Sequence, residues 1–521
     1  LLALFETIGF EKTLDVINGM FSFVLWDRKA RMLHFARDRF GKKPLYVGWA
    51  NDALVFGSEL KSLCAYRDFN KEIDTQSLAL YSQYSCVPAP HSIYKNVWQL
   101  MPGCSLSMPL EGLETGGDLT ALMVPYWSAQ NIVEKRSNLN DSDSNIVDGF
   151  ETLLKACVRD RMLSDVPLGA FLSGGIDSSV IVSLMQAQSE RPVHTYTIGF
   201  EEAGFNEAEH AREVAAHLGT DHHEHFCSAR DAMNVIKKLP DMYDEPFADQ
   251  SAIPTYLVAQ FARRDVTVAL SGDGGDEMLG GYSRHFTTPR IMKFPKSFRH
   301  LADAIPASVL NTLFPTKPLL AKHLEKMSAL LSANNQAEIY HILLRNWEDN
   351  PVAAHANVRL DLDPIEGLDL SEQLMLWDTQ HYLPNDILTK VDRATMAVSL
   401  EGRAPLLDRR IFEFVWGLPM QFKIRDGKGK WLLREVLARH VPREMFERPK
   451  QGFGIPIADW LRSDLRDWAE DLLDEKALEA QGLYDAKAVR AVWEHHLTSG
   501  QRHCDALWTL LMFQAWHKRW Q

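Results

Sequence analysis

The chain has no uninterrupted apolar run near the roughly 18 residues that a membrane-spanning helix requires, so it does not read as a membrane protein. Cysteine is scarce: six in 521 residues, at positions 64, 86, 104, 157, 227 and 504, with no Cys-x-x-Cys pair. That excludes a small disulfide-stapled scaffold and points to a reduced, cytoplasmic compartment. A basic balance is also missing. With 56 Lys+Arg against 69 Asp+Glu the net charge is −13, which favours neither a nucleic-acid partner nor an anionic membrane surface. An acidic total still leaves room for a local basic pocket that takes phosphates. The first residues, Leu1-Leu2-Ala3-Leu4-Phe5-Glu6, lack the basic lead and cleavage site of a signal peptide. Leu stands where Met would begin a chain, within a helix-like stretch (LLALFETIGFEKTLDVI), which predicts that the true N-terminus lies upstream.

What is present is an ordinary folded composition, 46% apolar and 24% charged, long enough for two to four domains. Residues 1–110 read as β-rich: GMFSFVLWD, RMLHFARD, LYVGWA and ALVFGS are short apolar runs split by turn-type clusters. Residues 111–145 are rich in Gly, Asp, Ser and Asn and read as a linker. From 146 to 521 the texture is α/β and then mainly helical. GAFL, VHTYTIGF and VTVAL read as buried strands; SSVIVSLMQAQ and FNEAEHAREVAAHLG read as helices, the second with Asn206 as its N-cap and Glu209 completing a capping box. Strand–helix alternation implies a parallel sheet.

Two glycine-rich turns carry the chemistry. Ser173-Gly174-Gly175-Ile176-Asp177-Ser178-Ser179 follows a strand and opens a helix. Glycines allow close backbone approach, and a helix start offers unpaired N–H groups to an anion. Asp177 would repel a phosphate on its own, so its expected task is to hold Mg²⁺. No Gly-Lys-Ser/Thr follows, so this is not a Walker loop. The plainer alternative is a tight turn with serine caps. Ser271-Gly272-Asp273-Gly274-Gly275-Asp276-Glu277 follows the next strand, and its clustered carboxylates call for a cation. Ligands in open α/β sheets bind at the carboxyl ends of strands, so the ends near Leu172, Ile198 and Leu270 are expected to line one site. His222, His223 and His225 near Cys227 invite a zinc reading, but they read better as a connection into a strand.

These motifs resemble a known family. SGGIDSS, SGDGGDE and DRATMAVSLEGRAPLLD together resemble the synthetase domain of glutamine-dependent asparagine synthetases, within the N-type ATP pyrophosphatases. INGMFSFVLWD, ARDRFGKKPLY and FGSELKSL resemble the back half of that family's glutaminase domain, and RPKQGFGIPIADWL and ALWTLLMFQAWHKRW its closing helices. The resemblance implies an α/β N-type ATP pyrophosphatase domain with a helical C-terminal part, preceded by a partial α+β Ntn glutaminase sandwich. It implies that ATP activates a carboxylate, aspartate or a similar acid, as an acyl-adenylate with release of pyrophosphate. Ammonia from glutamine then displaces AMP. ATP and Mg²⁺ are the implied cofactors, and a homodimer is compatible.

By resemblance, Ser173, Gly174, Gly175, Ser178 and Ser179 would grip the pyrophosphate. Leu172 and Ile198 would pack near the adenine, and Ser271 and Gly272 would contact the nucleotide. Asp177 and Asp276 would be the Mg²⁺ ligands. Asp273 and Lys450 would be catalytic, the first in forming the adenylate and the second in neutralising phosphate charge. Asp244, Glu245, Asp249 and Ser251 would shape the acyl pocket. Asp386, Lys390, Asp392 and Arg393 lie on an expected helix, either in the site or in an ion-pair network. Glu401 and Arg403 are as consistent with a structural part. The family's glutaminases begin with a nucleophilic cysteine; residue 1 here is Leu, so this chain is not expected to hydrolyse glutamine, and it reads either as a piece of a complete enzyme or as a natural truncation that uses free ammonia. Nothing in the motifs separates aspartate from another carboxylate, such as a uronic acid of a surface polysaccharide. A non-catalytic paralogue would have lost Asp177, Asp276 or Lys450, and all three are present.

Overall fold

In the computed structural model, the described residues are 1–521 apart from 110, 112–114, 138, 201–207, 294–317, 353–356, 449–454 and 500–502. Asn206, the expected cap, and Lys450 lie outside them.

The apolar runs of the first hundred residues form strands because they alternate between faces. These are β1 (Ser22–Asp27), β2 (Met32–Arg37), β3 (Tyr46–Ala50) and β4 (Ala53–Gly57), joined by β5 (Val97–Gln99), β6 (Cys104–Pro109) and β7 (Met123–Pro125). They build two antiparallel sheets, β1-β2-β6-β7 and β4-β3-β5. Phe35, Leu106 and Met108 of one sheet share a core with Val47 and Trp49 of the other. The leading stretch is not the single helix its composition suggests. Gly9, at φ +83, breaks it into Leu2–Ile8 and Phe10–Val16. The stretch expected as a linker, 111–145, is partly structured: β7 closes the first sheet against β6, and a helix at Ala129–Glu134 buries Ala129 and Val133. Spaced apolar residues among many polar ones hid these short elements.

The second sheet system is parallel throughout: β8 (Leu168–Phe171), β9 (His194–Phe200), β10 (Asp221–Cys227), β11 (Val268–Leu270) and β12 (Glu401–Arg403), in the order β10-β9-β8-β11-β12. Its central strands are covered on both faces. Val268 and Leu270 pack into one apolar cluster with the helices Asp143–Met162 and Ile176–Gln186, while Ala269 between them packs into the other with Ala252–Ala262. Double-sided burial is the signature of a parallel sheet wrapped by helices. Glu401 and Arg403 have a structural part on edge strand β12: Arg403 pairs with Glu401 at 2.6 Å and donates to the carbonyls of Arg161 and Leu163.

The two halves are joined by buried polar contacts. Lys43 reaches Asp392 at 2.6 Å and Arg393 reaches Glu59 at 3.0 Å. Glu245 accepts from the Ile93 amide at 2.8 Å and the Tyr46 hydroxyl at 2.9 Å, and Asp244 accepts from the Lys61 amide at 3.1 Å. This corrects the expectation that Asp244 and Glu245 shape an acyl pocket: both turn toward the N-terminal sheets. Asp392 and Arg393 also serve this junction.

Burial, reinforced by the neighbouring Asp244 carboxylate, pushes the Glu245 carboxyl up to about 8 from an ordinary 4.5, against the bonds from Ile93 and Tyr46. The folded state therefore holds its proton longer than the unfolded chain. Its contribution to stability is complete below about 4.5 and is lost as pH rises toward 8. Asp244, pushed up to about 6, acts in the same direction. Glu245→Gln keeps a neutral acceptor in place. The melting temperature of the unaltered protein should therefore fall relative to that of the variant between pH 5 and 8. Parallel melting profiles would refute this assignment.

Candidate active site

β8 and β11 are hydrogen-bonded neighbours running the same way, so their carboxyl ends deliver the two glycine turns side by side. After β8 the chain turns through Gly174, at φ +69, where a Cβ would lie 2.8 Å from the His210 carbonyl carbon. Only glycine fits there. The helix Ile176–Gln186 then starts with Gly175 as its cap residue and Asp177 in its first turn. After β11 the chain turns through Gly274, at φ +96, into the short helix Gly275–Met278. The turns touch. A Cβ on Gly272 would lie 2.7 Å from the Asp177 carbonyl carbon and 2.8 Å from the Ser178 nitrogen.

Above them lies a cavity of about 690 Å³. Leu172, Ser173, Gly174, Gly175, Asp177, Ser178, Ser271, Gly272, Asp273 and Asp276 all line it, so the two motifs share one cavity. Two expected residues do not. Ser179 is fully buried within the first helical turn, and Ile198 is 2% exposed in the apolar cluster behind β9. Tyr196 and Thr197 line the wall there instead. β9 runs on beyond the cavity to Phe200, so Ile198 packs behind the strand and not on the site. Asp273 is held by the Ser271 hydroxyl, which donates to it at 2.6 Å.

The residue that organises the site was missed. Lys430 sits between the two aspartates: its ammonium contacts Asp177 Oδ2 and lies 2.8 Å from Asp276 Oδ1. Burial favours the neutral amine, but the two carboxylates outweigh it and raise the affinity of Lys430 for its proton. The signal was legible as Gly427-Lys428-Gly429-Lys430 before the helix Trp431–Leu437. A Cβ on Gly429 would collide with the Gly280 carbonyl, and the Lys430 amide donates to Leu279 O at 2.8 Å. A glycine segment is needed to pass that close to the second turn. Lys428, Arg434 and Arg448 also face the cavity, with Arg448 donating to Gly174 O at 3.0 Å. A basic wall thus faces the glycine turns in an acidic protein, and it suits a polyphosphate.

Asp177 and Asp276, brought to one point by a shared cation, offer hard oxygen donors of the kind Mg²⁺ takes. The residues present fit that ion.

A second compartment of about 420 Å³ adjoins the first and shares Asp249, Ser251 and Tyr382 with it. Lys390 donates to Asp249 at 2.7 Å and to the Ser251 hydroxyl at 2.9 Å. Burial alone would raise Asp249, but Lys390, Asp386 and Ser251 bring it down to about 2. Asp386 moves the other way, raised well above the carboxylate range by burial and by the Asp249 charge. The result is an ionised carboxylate beside a protonated one. Asp386 and Lys390 are reached through a π-helix, Asp378–Leu388, continuing into Thr389–Met396, where the sequence predicts one regular helix. Ser85 and Cys86 of the N-terminal half line the far wall of this compartment.

A further lysine was not foreseen. Lys42, 5% exposed, has no hydrogen-bond partner for its ammonium among the described residues. Burial lowers it to about 8, opposed by the charge of Asp273.

Residues 149–518 match the asparagine synthase family, and residues 1–117 match a glutamine amidotransferase domain. A Bacillus subtilis protein named asparagine synthetase [glutamine-hydrolyzing] 1 is 31% identical over 519 residues, covering 97% of this chain and 78% of the relative. A Mycobacterium tuberculosis protein, provisionally named a glutamine-hydrolysing asparagine synthetase, is 33% identical over 522 residues, covering 97% of this chain and 77% of the relative. Among the described residues no helix is long and apolar enough to cross a membrane.

Proposed function

The chain belongs to the asparagine synthase family of ligases, and on that footing we propose that it uses ATP to amidate aspartate to asparagine through an acyl-adenylate, with ammonia that the family's N-terminal cysteine, not present among these residues, would release from glutamine. A carboxylate is a poor electrophile; adenylation gives it a leaving group, and ammonia displaces AMP.

In this reading residues 146–521 are an N-type ATP pyrophosphatase domain, and residues 1–110 are part of an Ntn glutaminase sandwich. The helix start at 175–178 and the serines at 173, 178 and 271 bind the triphosphate. Asp177 and Asp276 hold Mg²⁺, which would neutralise phosphate charge as pyrophosphate leaves. Lys430 keeps those carboxylates together, and Arg448 and Lys428 face the leaving group. Asp273 supports adenylate formation, and Lys450 adds positive charge at the phosphates. Asp249, Lys390 and protonated Asp386 bind the carboxylate substrate. The Lys390 ammonium is charged and the Asp386 carboxyl can donate, so both suit an anionic acyl group.

The observation that carries this reading is the contact of Gly272 with Asp177 and Ser178, under a cavity with one acidic and one basic wall. Incubation with ATP, Mg²⁺, aspartate and ammonium should yield AMP, pyrophosphate and asparagine in equal amounts. AMP without asparagine, or release stimulated only by another acid in a panel of carboxylates, would move the substrate assignment elsewhere. No pyrophosphate with any acid would refute the ligase reading.

A further inference from the structure

A second cluster of metal-competent side chains lies at the other end of the parallel sheet. The nucleotide cavity is at the carboxyl ends of the strands, whereas His194 and Asp221 are the first residues of β9 and β10. Asp221 is the register partner of His194, and His223 follows two residues later on the same face of β10. His194 Nδ1 lies 2.9 Å and His223 Nε2 3.4 Å from one oxygen, Asp221 Oδ2, and the donor atoms of all three residues lie within 4.8 Å of one another.

These atoms are close without being hydrogen-bonded. His194 Nδ1 and His223 Nε2 are both shielded from water, and neither has a hydrogen-bond partner among the described residues. Two imidazole nitrogens and a carboxylate oxygen therefore converge without aligning as donor and acceptor. For ligand atoms about 2.0–2.2 Å from one ion, neighbouring ligands stand about 3–3.5 Å apart, and the two separations from Asp221 Oδ2 fall close to that range. The ring of His223 is also held in place. It stacks on Tyr196 with centroids 5.2 Å apart and planes 15° apart, and the Tyr196 hydroxyl donates to Asp265 at 3.3 Å.

We propose that His194, Asp221 and His223 form a binding site for a divalent transition-metal ion of the zinc class, separate from the nucleotide site. Two imidazoles and one carboxylate suit such an ion and not Mg²⁺ or Ca²⁺, which prefer oxygen alone. The side chains of His194 and Asp221 are about half exposed (45% and 49%), so water completes the coordination. The bound ion ties edge strand β10 to β9, and its effect is on the stability of that edge. The set differs from the histidine run that catches the eye in the sequence. His222 points to the other face, bonded to Thr195 Oγ1 at 2.9 Å, and His225 stacks on Phe261 at 5.3 Å.

The test is a Co²⁺ titration of tag-free, chelator-treated full chain, followed by visible absorption, with Zn²⁺ as competitor. One Co²⁺ per chain should produce d–d bands that Zn²⁺ abolishes, and Zn²⁺ should raise the melting temperature. His223→Ala and His194→Ala should each weaken Co²⁺ binding at least tenfold and remove the Zn²⁺ effect on melting. Their pyrophosphate release should stay unchanged. His225→Ala should bind as the unaltered protein does. No saturable Co²⁺ binding, or binding that survives both His194→Ala and His223→Ala, would overturn the proposal.

Discussion

Lys430→Met is expected to abolish most pyrophosphate release and to destabilise the fold. The Lys430 side chain is 6% exposed and its ammonium is shared by Asp177 and Asp276. Removing one partner of a buried ion pair typically costs about 3–5 kcal/mol, because the charge left behind is neither solvated nor paired. Here two like charges are left facing each other. The catalytic loss should be about 10²–10³ in kcat, the scale seen when one preorganised electrostatic contact is removed from a transition state. Two measurements separate the effects. The melting deficit should shrink as pH falls and the aspartates take up protons. Added Mg²⁺ should raise the melting temperature of Lys430→Met more than that of the unaltered protein, because the ion is then the sole counter-charge to two carboxylates that Lys430 otherwise offsets. A variant that releases pyrophosphate at the unaltered rate would remove Lys430 from the site.

Gly272→Ala is the second large effect. Its new methyl would meet the Asp177 carbonyl carbon and the Ser178 nitrogen at 2.7 and 2.8 Å. These are backbone atoms at the start of a helix, so no flexible side chain can swing aside. Overpacking of this kind costs about 1–3 kcal/mol. The larger consequence is geometric: the two turns must separate, and the N–H groups at 175–178 move with them. Displacements approaching 1 Å in a positioning element can cost about 10² in rate. ATP affinity should fall ten- to a hundredfold, read by equilibrium binding of a nucleotide analogue. Gly149→Ala is the control. Gly149 lies inside the helix Asp143–Met162, and its Cβ would sit 3.7 Å from Phe414, in ordinary contact. That variant should gain roughly 0.5–1 kcal/mol and keep full affinity. Equal nucleotide binding by Gly272→Ala would mean that the turns are not a clasp.

Local signals in the chain anticipated much of this. The alternation of GMFSFVLWD and RMLHFARD produces β1 and β2, and the apolar run before Ser173 produces β8 with a helix behind it. The glycine turns line the cavity because a strand end, a positive φ and a helix start are all local properties. Where the reading failed, the deciding partner was remote. Glu245 follows Asp244 in a motif that looks like a pocket wall, yet it is held by Tyr46, 199 residues away. Lys430 lies 253 residues from Asp177.

The sequence by itself therefore determined most of the strands, the two glycine turns and the family, since each follows from neighbouring residues or from motif order. Only the tertiary structure decided that Lys430 neutralises the paired aspartates, that Asp244 and Glu245 join the two halves, and that Asp221 meets His194 at the far edge of the sheet. The physical reason is that a charge needs its counter-charge within a few ångströms when water is excluded, and which charge arrives there is set by the packing of the whole chain.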